Sequence, residues 1–338
     1  MKRQPIFIII LLAAFSLACM TVQSIFVPVT PTLIPIPVTP GQPVECKDES
    51  CLDACLGRLN SVLSEPIEDV GGAYADKDAQ FNLVNYTVEG DAISNPVKLY
   101  VPAEYKAYQE DTTPHQEAWD FFTFIVPAEQ RKWITQYVIF TDGSYNTLAW
   151  VDRVEFGDNS RWKLGVDVLD ANNPLLLTTT VVHELGHLLT LNSDQIISEE
   201  GEGYSVHQNA DVCAQYMSDE GCTTPESYLN QFYQSFWVNL HEEWMETVYK
   251  PHASSPEEFR SFVQTFHDNH PGEFVSDYAA TNIKEDMAES FETFLLSPMP
   301  NGDTIADRKV LFFYYFPELV ALRQQMIQNL CTYVIEQP

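Results

Sequence analysis

The stretch that most limits how this chain can fold is Leu175 to Leu191, LLLTTTVVHELGHLLTL. It reads as one long apolar helix, opened by Asn173-Pro174, and belongs in a core. Yet it carries His183, Glu184 and His187. Histidines four residues apart lie on one helix face, one turn apart. Neutral imidazoles in that pattern suit a tetrahedral zinc ion. Glu184, next to the first histidine, reaches a water at the metal rather than the metal itself, the place of a general base. A hydrolytic zinc centre is the expectation.

Such a centre needs a third protein ligand. The extension that supplies a third histidine shortly after the second is excluded, because Thr190 and Ser193 occupy its Gly and His places. A glutamate from a second helix is the other common solution, and Ser276 to Glu292, SDYAATNIKEDMAESFE, is the best segment for it. Thr281 or Asn282 can cap that helix. Glu285 and Glu289 are four apart and share a face, and Met287, Phe291, Phe294 and Leu295 give the helix a buried side. Glutamates near a buried face are costly unless a cation meets them. Without the histidine helix this would read as an ordinary solvated acidic face.

Tyr278, Thr281, Asn282, Glu285 and Glu289, in the spacing Y-x2-TN-x2-E-x3-E after an HExxH helix, resemble the gluzincin metallopeptidases of the anthrax lethal factor type. The resemblance extends loosely over 133–330, and only the two motifs are specific. It implies a zincin-like peptidase domain with zinc on His183, His187 and Glu285. It makes Glu184 the general base, Glu289 the acid that orients a ligand histidine, and Tyr278 the donor to the transition-state oxyanion. The departure is spacing: residues 192–275 read as an insertion between the zinc motifs, and its effect is expected on cleft shape and specificity rather than on the metal.

The N-terminus is an export signal. Lys2 and Arg3 precede an uncharged, apolar run from Ile6 to Met20, too short to span a bilayer comfortably. It ends in Ser16-Leu17-Ala18-Cys19, similar to a bacterial lipobox with Ser16 where Leu is usual. Residues 1–19 therefore read as a signal ending at a lipidated cysteine, ahead of simple secretion, with an uncleaved anchor as a third option. Residues 20–44 form a Pro/Thr-rich linker, extended and polyproline-like, and 45–338 the folded body. Six cysteines remain: Cys46, Cys51, Cys55, Cys213, Cys222 and Cys331. An even count in an exported chain suggests disulfides. Cys213 and Cys222 could staple one loop, and Cys331 could tie the C-terminal helix to the N-terminal cluster.

Along the body, 46–65 reads as a short helix. Runs at 136–141, 147–156 and 162–169 read as strands separated by turn residues, and 199–221 as a loop. Helices are expected at 225–249, 256–267, 282–296 and 304–330, the last broken at Pro317. A small, mainly antiparallel sheet followed by a helical half is an α+β domain. His115, His207, His252, His267 and His270 read as surface histidines and His241 as part of an exposed helix face. Asp167 and Asp170 read as turn caps rather than calcium ligands.

Acidic residues outnumber basic ones 48 to 18, a formal charge of −30, which disfavours nucleic acid as a partner. The expected partners are a peptide or protein substrate and a membrane reached through the N-terminal lipid. Two other readings use the same residues: a zinc amidase acting on a cell-wall or other non-peptide amide, and a catalytically silent tethered binding lipoprotein.

Overall fold

Short runs rich in apolar residues, separated by turns at Gly90, Gly143 and Gly157, build a five-stranded sheet before the chain turns helical. The computed structural model describes residues 49–63, 80–143, 147–169, 174–197 and 213–336. The expected signal, lipidated cysteine and linker, Cys46, His207, Asp170 and the first part of the 199–221 loop lie outside the described residues.

Helix α1 (Glu49–Leu63) opens the body. A hairpin of β1 (Phe81–Glu89) and β2 (Ala92–Lys98) follows, joined at Gly90 with φ +65°. Then come α2 (Lys106–Glu110), α3 (Thr113–Ile125), β3 (Ile134–Thr141), β4 (Ala149–Arg153) and β5 (Trp162–Asp167). The strand order is β2-β1-β3-β5-β4. All neighbours are antiparallel except β3 and β5, which run parallel because β4 steps out to the edge and back. Gly165 on β5 makes room for the Trp150 ring across the ladder, where a Cβ would come within 2.2 Å of it.

The helical half begins with α4 (Thr178–Leu191). A second small sheet holds β6 (Ile196–Ile197), β7 (Met217–Ser218) and β8 (Gly221–Thr223), ordered β6-β8-β7. The Cys213–Cys222 disulfide staples its hairpin, as expected. The run expected as one helix at 225–249 is instead α5 (Tyr228–Phe232) and α6 (His241–Trp244), each running on into a π turn. Helices α7 (Pro256–Asn269), α8 (Ile283–Leu296), α9 (Ile305–Phe312) and α10 (Pro317–Glu336) complete the chain. Proline at the first position of α10 makes the break expected at Pro317. Among the described residues no helix is long and apolar enough to cross a membrane.

This is an α+β architecture: a small, mostly antiparallel sheet, then a helical C-terminal half. One apolar core joins them, with Trp119, Tyr137 and Ile139 from the sheet side and Val182, Met287, Phe291, Phe294 and Ile327 from the helices. A second disulfide, Cys55–Cys331, ties α1 to α10 across 276 residues of chain. A cross-link closing so long a loop removes much of the unfolded chain's freedom.

Three histidine expectations are corrected. His270 is half-buried, its Nδ1 2.8 Å from the Phe266 carbonyl oxygen and its ring against that of Phe266. His115 is fully buried: Nδ1 meets the Tyr86 hydroxyl at 2.8 Å and Nε2 the Tyr108 carbonyl oxygen at 2.9 Å. Its partners are Tyr86 on β1, 29 residues away, and the main chain of Tyr108 on α2, so no side-chain spacing announced them. His241 is half-buried among the rings of Tyr216, Tyr233 and Trp244 rather than on an exposed face. Asp167 behaves as a turn cap, accepting the backbone N–H groups of Asp142 and Leu169.

Candidate metal centre

Helices α4 and α8 pack face to face, and a glycine sets how closely. A Cβ on Gly186, inside the histidine motif, would come within 3.1 Å of the Ala288 Cα on α8. That atom is backbone and cannot swing aside. Gly186→Ala should therefore wedge the helices apart, costing about 1–3 kcal/mol as overpacking does, and weaken metal binding. A thermal melt and a zinc titration of the variant check both.

Each helix is fixed in register by its own sequence. The Asn192 amide at the end of α4 donates to the carbonyls of Leu188 and Leu189. The Asn282 side chain caps α8, accepting the N–H groups of Lys284 and Glu285. Glu285 thus sits in the first turn, where the helix dipole favours a negative charge. At the far end of α8, the buried Arg323 of α10 donates to the carbonyls of Phe294 and Ser297.

The result is a nearly equilateral triangle of ligand atoms. His183 Nε2 and His187 Nε2 are 3.1 Å apart, and each is 3.2 Å from Glu285 Oε2. A tetrahedral zinc with bonds of about 2.0 Å separates its ligand atoms by about 3.3 Å. His183, His187 and Glu285 therefore form a group that could hold a metal ion. The electrostatics agree. Burial opposes a charge on His183, but Glu285 and Glu289 outweigh it and hold its imidazole well above the ordinary range. Burial also opposes a charge on Glu285, yet His187 and His183 hold its carboxyl well below the ordinary range. The three atoms thus favour a positive charge among them, which a histidine proton supplies and a metal ion could replace.

The other expected residues gather around the triangle. Glu289 Oε1 accepts from His183 Nδ1 at 2.9 Å, which keeps a proton on Nδ1 and presents Nε2 to the triangle. Tyr278 lies with its ring centroid 6.0 Å from that of His183, in a short 3-10 turn, Tyr278–Thr281, just ahead of α8. Burial pushes the Glu184 carboxyl up, against the pull of His187 and His183. Glu184 Oε2 accepts the backbone N–H of Val151 on the edge strand β4, at 2.8 Å.

Several contributors were not read from the sequence. Val151 offers only its main chain, so no side-chain pattern marks it. Glu292 Oε2 also approaches His183 Nδ1, at 3.9 Å. The 192–275 insertion braces α8 and the turn ahead of it at three points. Trp237 Nε1 donates to Asp286 at 2.7 Å, Trp244 Nε1 to the Thr281 carbonyl at 3.0 Å, and Lys284 reaches Glu220 at 2.9 Å. Asp286 also pairs with Lys309 at 2.6 Å, both fully buried. The Asn159 side chain donates to the Glu220 carbonyl, so the β7–β8 hairpin bridges the sheet side to α8.

The fold and this geometry define an α+β protein with a two-histidine, one-glutamate group able to hold a metal ion. Compared with known proteins, the chain matches no protein-family model, no curated protein and no solved structure.

Proposed function

We propose that this protein is an extracytoplasmic, zinc-dependent peptidase of the gluzincin kind, carried on a zincin-like domain and tethered through a lipidated Cys19. The observation that carries the reading is the ligand triangle, with Glu184 one residue from its first corner and Tyr278 beside it. Bound by His183, His187 and Glu285, zinc supplies a Lewis acid that polarises a carbonyl and makes water more acidic.

The chain's own residues do the rest. Glu184 takes the proton of the attacking water and passes it to the leaving amine. Its orientation is held by the Val151 N–H. Tyr278 donates a hydrogen bond to the oxyanion, a charge that exists only as the carbonyl is attacked. Glu289 keeps His183 in the tautomer and orientation that the triangle needs. Strand β4 ends the sheet beside this centre. An edge strand can take an extended peptide through those main-chain groups not already engaged, as the Val151 N–H is by Glu184, which favours peptide over other amides.

The full chain, incubated with a mixed peptide library, should cleave it. A zinc chelator should stop the cleavage, and added zinc should restore it. Cleavage that persists with the metal stripped would sink the proposal. A zinc-loaded chain that cuts no peptide or amide would point to the silent tethered module.

A further inference from the structure

We propose that Ser276 is a positioning residue for the metal centre, its one hydroxyl selecting which acid orients His183 and holding the turn that carries Tyr278. This rests on the metal-centre reading given above. Ser276 Oγ donates to Glu289 Oε2 at 2.6 Å. The same oxygen accepts the Ala279 N–H at 3.0 Å, closing the turn that begins at Tyr278. Glu289 in turn spends its other oxygen on His183 Nδ1, at 2.9 Å. A single hydroxyl therefore links the tyrosine turn, the orienting acid and a ligand histidine.

The link matters because His183 has a second acid in reach. Glu292 Oε2 lies 3.9 Å from the same Nδ1, one turn further along α8. Glu285, Glu289 and Glu292 lie along one stripe of α8, all three near the His183 ring. The ring must choose, since one N–H aims at one oxygen. The hydroxyl of Ser276 holds Glu289 in the close position and so keeps His183 Nε2 within the triangle. Without it, Glu289 loses a short hydrogen bond to a charged oxygen, and His183 can turn towards Glu292. A hydroxyl fits this place because it donates and accepts at once. An alanine there does neither.

The test uses the full chain and two variants of equal shape. Ser276→Thr keeps the hydroxyl and Ser276→Val removes it, so any purely steric effect is common to both. Zinc affinity is measured by competition with a chromophoric chelator. Threonine should stay within about threefold of wild type. Valine should bind about tenfold more weakly, the low end for loss of an outer hydrogen-bond partner. In a Glu289→Ala background Ser276→Val should cause no further loss, because the hydroxyl acts through Glu289. Equal affinities for the threonine and valine variants would overturn the assignment. So would losses that add in the double variant, since general loosening of the fold would act in either background. A wild-type chain that binds no zinc would overturn the metal reading and this inference with it, and that outcome shows before any substitution is made.

Discussion

Glu184→Gln is expected to leave zinc near one equivalent while hydrolysis falls by at least about 100-fold, the lower bound for losing a general base. Glutamine keeps the size of the side chain and can still accept the Val151 N–H through its amide oxygen. It cannot take a proton from water. Parallel metal analysis and cleavage rates therefore separate chemistry from binding. Tyr278→Phe is the companion measurement. It removes one hydroxyl from a ring whose centroid lies 6.0 Å from that of His183, and kcat should drop by about 100-fold with KM little changed, because the contact forms only in the transition state. Equal rates for wild type and Glu184→Gln would show that the cleaving activity does not come from this site.

The second large effect concerns the metal, and it separates two glutamates four residues apart on one helix. Glu285 Oε2 stands 3.2 Å from both histidine nitrogens, whereas Glu289 touches His183 from behind, at Nδ1. Glu289→Ala should weaken zinc by about 10–100-fold, as losing a partner of a ligand does. Glu285→Ala should exceed that range and leave no zinc after gel filtration. The alanine also removes the one carboxylate oxygen that faces both histidine Nε2 atoms. If Glu285→Ala retains zinc while Glu289→Ala loses it, the ligand and its supporter have been exchanged in this account.

Much of the centre was legible because its residues sit at helical spacing. His183 and His187 lie one turn apart on α4, and Asn282, Glu285 and Glu289 mark the cap and one face of α8. Two repeats of a local period were enough to place them, and the structure brings those faces together. The Cys213–Cys222 staple and the link from Cys331 to the N-terminal cysteines were among the pairings an even cysteine count allowed, but connectivity was not readable from the sequence. What escaped depended on contacts between distant segments. The β1–β2 hairpin was not singled out, since Asn82 and Asn85 interrupt its apolar pattern and Pro96 weakens its edge strand. Helix α3 was passed over although Thr113-Pro114 is a start signal and Ala118, Trp119, Phe122 and Ile125 mark one buried face. The parallel pairing of β3 with β5 is a choice of register that neither strand encodes alone. The bracing of α8 by Trp237, Trp244 and Glu220 joins segments 37 to 64 residues apart, and a lone tryptophan in a helix reads simply as core. Gly186 could have been suspected, since a glycine within a helix is costly unless something must come close.

The most direct test of the central claim is X-ray absorption at the zinc edge on the full chain loaded with one equivalent of zinc. The account predicts four-coordinate zinc with only nitrogen and oxygen neighbours at about 2.0–2.1 Å, two of them showing the outer-shell scattering of imidazole rings. One position should be filled by solvent. A sulfur neighbour at about 2.3 Å, or a site without two imidazoles, would contradict it.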